Sequence, residues 1–157
     1  MKLSMTPIRV TRGLLANPGM LSRVIENALT GAALGVKADY GVTTQTWEHR
    51  VKFVIHSKTG ERTITTGDKV YGYVDRGTRA HVIRPRNGKR LAFKGNYRAK
   101  TSPNTIGSRS GGASGATVFA KAVRHPGTKA RNFSKVIAAK WQKELPKIVQ
   151  RAIDAEI

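Results

Sequence analysis

The chain of 157 residues has no cysteine. Disulfides and thiolate metal sites are therefore excluded, and cysteine usage says nothing about the redox compartment. Acids are scarce. Nine Asp and Glu stand against 29 Lys and Arg, for a formal net charge of +20. From Arg76 through Lys143 there is no acid at all, while seventeen Lys and Arg fall in that span. Long apolar runs are also missing. The longest weakly polar stretch, Asn27 to Val36, is too short to cross a bilayer, and the first residues, Met1 to Pro7, hold no signal-peptide core. The expectation is a soluble protein made in the cytosol, with no membrane partner.

The size fits one domain spanning 1–157, with 1–16 as an N-terminal arm. An apolar fraction of 39% and 16 glycines suggest a modest core with long loops. A charge of this size repels itself, and because it is clustered it calls for an acidic partner, nucleic acid or protein.

Periodicity divides the chain. Asn17-Pro18 is an N-cap followed by proline in the first turn, and Leu21, Val24, Ile25, Ala28, Leu29, Ala32 and Val36 recur at helical spacing, which predicts a helix from Pro18 to Asp39 weakened at its end by Gly31 and Gly35. Val51, Phe53 and Ile55 alternate as in a strand; Thr59-Gly60 turns the chain into a second strand, Arg62 to Thr66, and Gly67-Asp68 into a third, Lys69 to Asp75. His81 to Arg84 extends briefly. Asn87-Gly88 is a hairpin signal leading to Arg90–Lys94. Thr117 to Val123 reads as the last strand. The stripe of Ile137, Trp141, Leu145, Ile148, Ala152 and Ile153 predicts a closing helix, kinked or split at Pro146. Between strands, residues 95–115 are rich in Gly, Ser and Asn and poor in apolar surface, so a long, mobile, basic loop is expected there. The fold class is α+β: an antiparallel sheet covered on one face by an N-terminal and a C-terminal helix.

Chemistry finds few footholds. The histidines, His49, His56, His81 and His125, lack the spacing of helix-borne metal ligands, and nothing calls for a cofactor. No phosphate-binding loop or dinucleotide fingerprint occurs. A His81–Asp75 pair is conceivable. So is a His81–His125 pair acting as base and acid on RNA, but the preferred reading places both imidazoles in turns or interfaces. The basic cluster of Arg79, Arg84, Arg86, Lys89, Arg90, Lys94, Arg98, Lys100 and Arg109 suits a phosphate backbone or an acidic protein surface equally. Tyr97 could stack on a base.

Two cassettes carry most of the information. One is Tyr71-Gly72-Tyr73-Val74-Asp75-Arg76-Gly77-Thr78-Arg79-Ala80-His81-Val82-Ile83, the other Arg124-His125-Pro126-Gly127-Thr128-Lys129-Ala130-Arg131-Asn132-Phe133. Each has Gly-Thr, a base and then Ala. With Leu91-Ala92-Phe93 between them and a helix after, this order resembles the tailed-phage neck and tail-completion family typified by the tenth gene product of the HK-series siphophages, over about Val51 to Ile157. The resemblance implies a non-enzymatic virion protein forming a ring, six-fold or twelve-fold, at the head–tail junction or tail end. Its partners would be head-completion or connector proteins, tail-tube or tail-terminator proteins and the packaged DNA. In that reading Gly77, Thr78, Pro126, Gly127 and Thr128 are structural turns, while Phe133 and Trp141 anchor the last helix. The rival reading, from the acid-free span, is a stand-alone nucleic-acid-binding protein.

Overall fold

The computed structural model describes residues 15–156. Most of the expected 1–16 arm lies outside the described residues. The class is α+β, with three helices and small antiparallel ladders among the described residues. The chain forms two compact units. The first is made of residues up to Gly41, Lys52–Gly67 and Ser134 onward; the second is made of Val42–Val51 and Asp68–Phe133.

The first unit is built on most of helix α1 (Pro18–Thr44) and of helix α3 (Phe133–Asp154), with a hairpin of β1 (Val54–Lys58) and β2 (Glu61–Thr65). Asn17 caps α1: its side-chain Oδ1 accepts from the Met20 N–H at 3.2 Å. Val24, Ala28, Leu29, Ala32, Ala33, Val36 and Tyr40 are buried along α1, and Ile137, Trp141, Leu145, Val149 and Ile153 along α3. The α3 row recurs every fourth residue, so it lies on one helical face. It runs through Val149, not through Ile148 and Ala152 as the sequence stripe suggested.

Gly35 does not end α1. Any Cβ there would collide with Cη2 of Trp141, so the glycine lets the indole lie against the helix backbone. Trp141 Nε1 donates to Asp39 Oδ2 at 2.7 Å, and Lys140 Nζ reaches the same carboxylate at 2.8 Å. Pro146 does not divide α3 in two; the helix continues through it. Tyr40 stacks on Phe53, ring centroids 4.9 Å apart.

The hairpin turn is held from outside. Gly60 N–H donates to Glu26 Oε1 at 2.6 Å, and the buried Arg62 donates to Glu26 Oε2 at 2.7 Å and to the carbonyls of Lys58 and Glu61. The Gly60 amide, then the Arg62 guanidinium, hold the Glu26 carboxyl below its ordinary value, because both favour the charged form. In return the carboxylate keeps the Arg62 charge from being buried without a partner.

In the second unit the structure departs from the sequence reading. Lys69 to Asp75 is not a strand. It lies in helix α2 (Lys69–Arg76), because Asp68 is an N-cap whose side chain accepts from the Tyr71 N–H at 2.7 Å and Gly77 ends the helix with φ +78°. Tyr71 is buried beside Trp47 and Phe133, at centroid distances of 6.2 and 6.0 Å.

The expected single sheet is replaced by separate two-stranded ladders. The expected local hairpin at Asn87-Gly88 does not form either. β3 (His81–Ile83) pairs with β8 (Val123–His125), β4 (Leu91–Lys94) with β7 (Thr117–Ala120), and β5 (Tyr97–Arg98) with β6 (Gly112–Ala113), all antiparallel. The strand read as Thr117–Val123 is thus divided between two ladders. The 95–115 segment is not without structure: it carries β5 and β6, and Arg109 N–H donates to the Lys100 carbonyl at 2.8 Å.

Candidate functional site

The three ladders are nested. Thr78 bridges Thr128, His81 faces His125, Leu91 faces Ala120, Phe93 faces Val118, and Arg98 faces Gly112. They therefore make one interrupted ribbon of two antiparallel strands. Residues 84–90 loop out of one strand, opposite only Lys121 and Ala122 of the other.

The two cassettes form the base of this ribbon, locked to each other. Thr78 N–H donates to the Thr128 carbonyl at 2.9 Å. Thr128 N–H returns to the Thr78 carbonyl at 3.2 Å and to its hydroxyl at 2.9 Å. Gly77 and Gly127 both have positive φ, +78° and +90°. A Cβ on Gly77 would lie 2.6 Å from the Thr128 carbonyl oxygen, and one on Gly127 would strike the Thr78 carbonyl oxygen. The strands cross too closely for any side chain at either position, and only glycine takes that backbone without strain. Beyond the crossing, Arg131 N–H donates to the Val74 and Asp75 carbonyls at 3.1 Å, and Asn132 N–H to Asp75 at 3.0 Å. The end of the second cassette thus satisfies carbonyls left open at the C-terminus of α2. Pro126 lies between His125, the last residue of β8, and Gly127, and Phe133, directly after Asn132, is fully buried. The five turn residues singled out in the sequence come together here; Trp141 belongs to the other unit.

His81 and His125 meet across the ribbon, with ring centroids 5.0 Å apart. His81 Nδ1 lies 2.9 Å from the Arg79 carbonyl, so that nitrogen must donate. His125 Nδ1 accepts from Gly127 N–H at 3.1 Å. These tautomers follow from the hydrogen-bond partners. Ala80, His81, Val82, Arg124, His125 and Pro126 border an open hollow of about 420 Å³ around the pair. A second open hollow, about 240 Å³, lies by Trp47, His49, Val70 and Tyr97, where His49 Nε2 meets Asp68 Oδ2 at 2.9 Å. Among the described residues no group of three or more His, Cys, Asp or Glu could hold a metal ion.

Further out, both faces of the ribbon are bare. Directly opposed residues share a face, and successive residues alternate. Phe93 and its partner Val118 are 40% and 44% exposed on one face, and Phe119 is 64% exposed on the other. Val82, Ile83 and Tyr97 are exposed as well. Isolated exposed apolar residues are ordinary; opposed ones on both faces of a two-stranded ladder are not. Of these residues only Tyr97 was singled out in the sequence, although the alternation at Leu91–Phe93 and Val118–Ala120 was visible there.

The predicted cations divide. Arg79, Arg84, Arg86, Lys89, Arg90, Lys94 and Arg98 are exposed on the ribbon and its loop. Lys100 is instead half-buried, 3.5 Å from Glu48; Arg109 is exposed, and its Nε donates to the Ala99 carbonyl at 3.1 Å. Lys121 and Arg124, on the opposite strand, join the exposed group.

Comparison of the chain with protein-family models, with curated proteins and with solved structures finds no match. Among the described residues no helix is long and apolar enough to cross a membrane.

Proposed function

We propose that this chain is a structural subunit of a tailed bacteriophage, a neck or tail-completion protein that closes into a ring and joins the connector to the tail. The observation that carries the reading is the ribbon with neither face covered. A two-stranded ladder is marginal in water by itself and needs further strands or a packed face. The second unit offers little compensation: its buried residues are Thr43, Thr44, Val51, Tyr71, Thr101 and Phe133. A subunit whose ribbon is covered by neighbours in an assembly resolves both facts. A head-to-tail contact whose rotation closes gives a ring and requires no two-fold patch. The ribbon, with residues 95–115 at its far end, then meets the next subunit or the next ring. The cassettes close the base of the ribbon, and His81 and His125 serve as a cross-strand pair.

The absence of cysteine makes a clean test possible. A Phe119→Cys variant carries one thiol, placed on the bare face. It should react readily with a maleimide in the isolated chain and be protected in assembled phage particles. Equal labelling in both states would remove the reading. The acid-free span keeps the stand-alone nucleic-acid-binding protein as a second reading; that protein would label alike with and without phage components.

A further inference from the structure

The loop between β3 and β4 reads Arg84-Pro85-Arg86-Asn87-Gly88-Lys89-Arg90, and all of it is exposed except the half-buried Pro85. Four of its seven residues are cations. Lys121 lies opposite the loop and Arg124 pairs with Val82 just before it, both exposed. None of these six makes an ion pair with an acid among the described residues. Such a concentration of charge, with no acid between Asp75 and Glu144 in the sequence, is not neutralised by an ion pair among the described residues.

From this cluster we infer that the 84–90 loop is a binding site for the phosphate backbone of a nucleic-acid duplex, without base readout. Three observations favour phosphate over an acidic protein surface. The loop has no aromatic or aliphatic side chain apart from proline, whereas the buried centre of a protein interface is depleted of charge and enriched in aromatic residues. Four of the six cations are arginines, whose planar fork grips phosphate oxygens in pairs. The exposed aromatic residues that do suit a protein partner, Phe93 and Phe119, lie on the ladder beyond the loop and not within it. Asn87-Gly88 places two small residues between the paired cations, leaving the backbone free to approach a strand closely. The inference does not depend on ring closure; in a ring it would bring the loops to the DNA that the junction passes, and the DNA would supply the missing counter-charge.

The test is fluorescence anisotropy of the full chain with a labelled 24-base-pair duplex of arbitrary sequence, over a series of salt concentrations. Two variants of equal net charge are compared. One replaces Arg84, Arg86, Lys89 and Arg90 by Gln; the other replaces the exposed Arg23, Lys37, Lys52 and Lys143 by Gln. Unfolding midpoints of both are checked first, and every substituted residue is exposed. The loop variant should bind about 10²- to 10³-fold more weakly near physiological salt, with a log–log salt slope shallower by about 3.6 if all four residues meet phosphates. The second variant should keep the parent slope. Equal weakening of both variants would reduce the effect to net charge and overturn the site, as would an unchanged loop variant. Binding of poly-L-glutamate through the same four residues, as tight as the duplex, would assign the loop to an acidic protein and also overturn it. Duplex binding is read on the isolated chain and assembly is read in particles, so the two proposals fail separately.

Discussion

Gly127→Ala should lower the stability of the second unit by about 2–6 kcal/mol. The estimate combines about 1–3 kcal/mol for a non-glycine residue held in a sparsely populated backbone region with about 1–3 kcal/mol for forcing extra volume into a closed contact. The clash partner is the Thr78 backbone carbonyl, which cannot swing aside as a side chain would. That carbonyl is also one end of the Thr78–Thr128 bridge, so relief of the clash breaks the hydrogen bonds that close the base of the ribbon. Gly60→Ala is the comparison. Gly60 also has positive φ, +69°, but a Cβ there meets nothing within 4 Å, so only the backbone cost of about 1–2 kcal/mol remains. Urea unfolding of both variants measures the difference. Equal losses would mean that the crossing of the cassettes is not a tight contact.

Phe133→Ala should cost about 3–5 kcal/mol, the range for truncating a buried aromatic side chain. Phe133 is fully buried, with the Tyr71 ring 6.0 Å away and Trp47 beyond it. The second unit has few other buried side chains to close around the cavity, which argues for the upper part of that range. The midpoint of urea unfolding, read by tryptophan fluorescence, checks it. A loss within about 0.5 kcal/mol, as for an exposed site, would show that Phe133 is no anchor.

Helices α1 and α3 and the β1–β2 hairpin were legible in the sequence because their signals are local. The Asn17 cap, the rows of apolar residues and the Thr59-Gly60 turn each act within a few residues. What failed was non-local. In Lys69–Asp75, alternation of Val70, Gly72 and Val74 with Tyr71 and Tyr73 imitates a strand. The same residues place Tyr71 and Val74 a helical turn apart, and over so short a segment the pattern alone does not choose. The choice is made by the Asp68 cap and by burial of Tyr71 beside Phe133, sixty-two positions away. Likewise Asn87-Gly88 offered a nearby hairpin, yet β3 pairs with β8, some forty residues on. A clue to that pairing was present: two Gly-Thr cassettes of similar order, each able to serve as the other's partner. The basic cluster was legible as a composition. Which of its members are held by other groups of the chain, as Lys100 is by Glu48 and Arg109 by the Ala99 carbonyl, could not be read from spacing.

In the proposed function the molecule works by fitting copies of itself between two larger structures. Electron microscopy of the purified chain, mixed with the connector and tail components that the proposed reading requires, tests this most directly. The account predicts closed rings, six-fold or twelve-fold, with Phe93, Val118 and Phe119 covered by neighbouring subunits. Particles that remain single copies with every such component, their ribbons still bare, would contradict it.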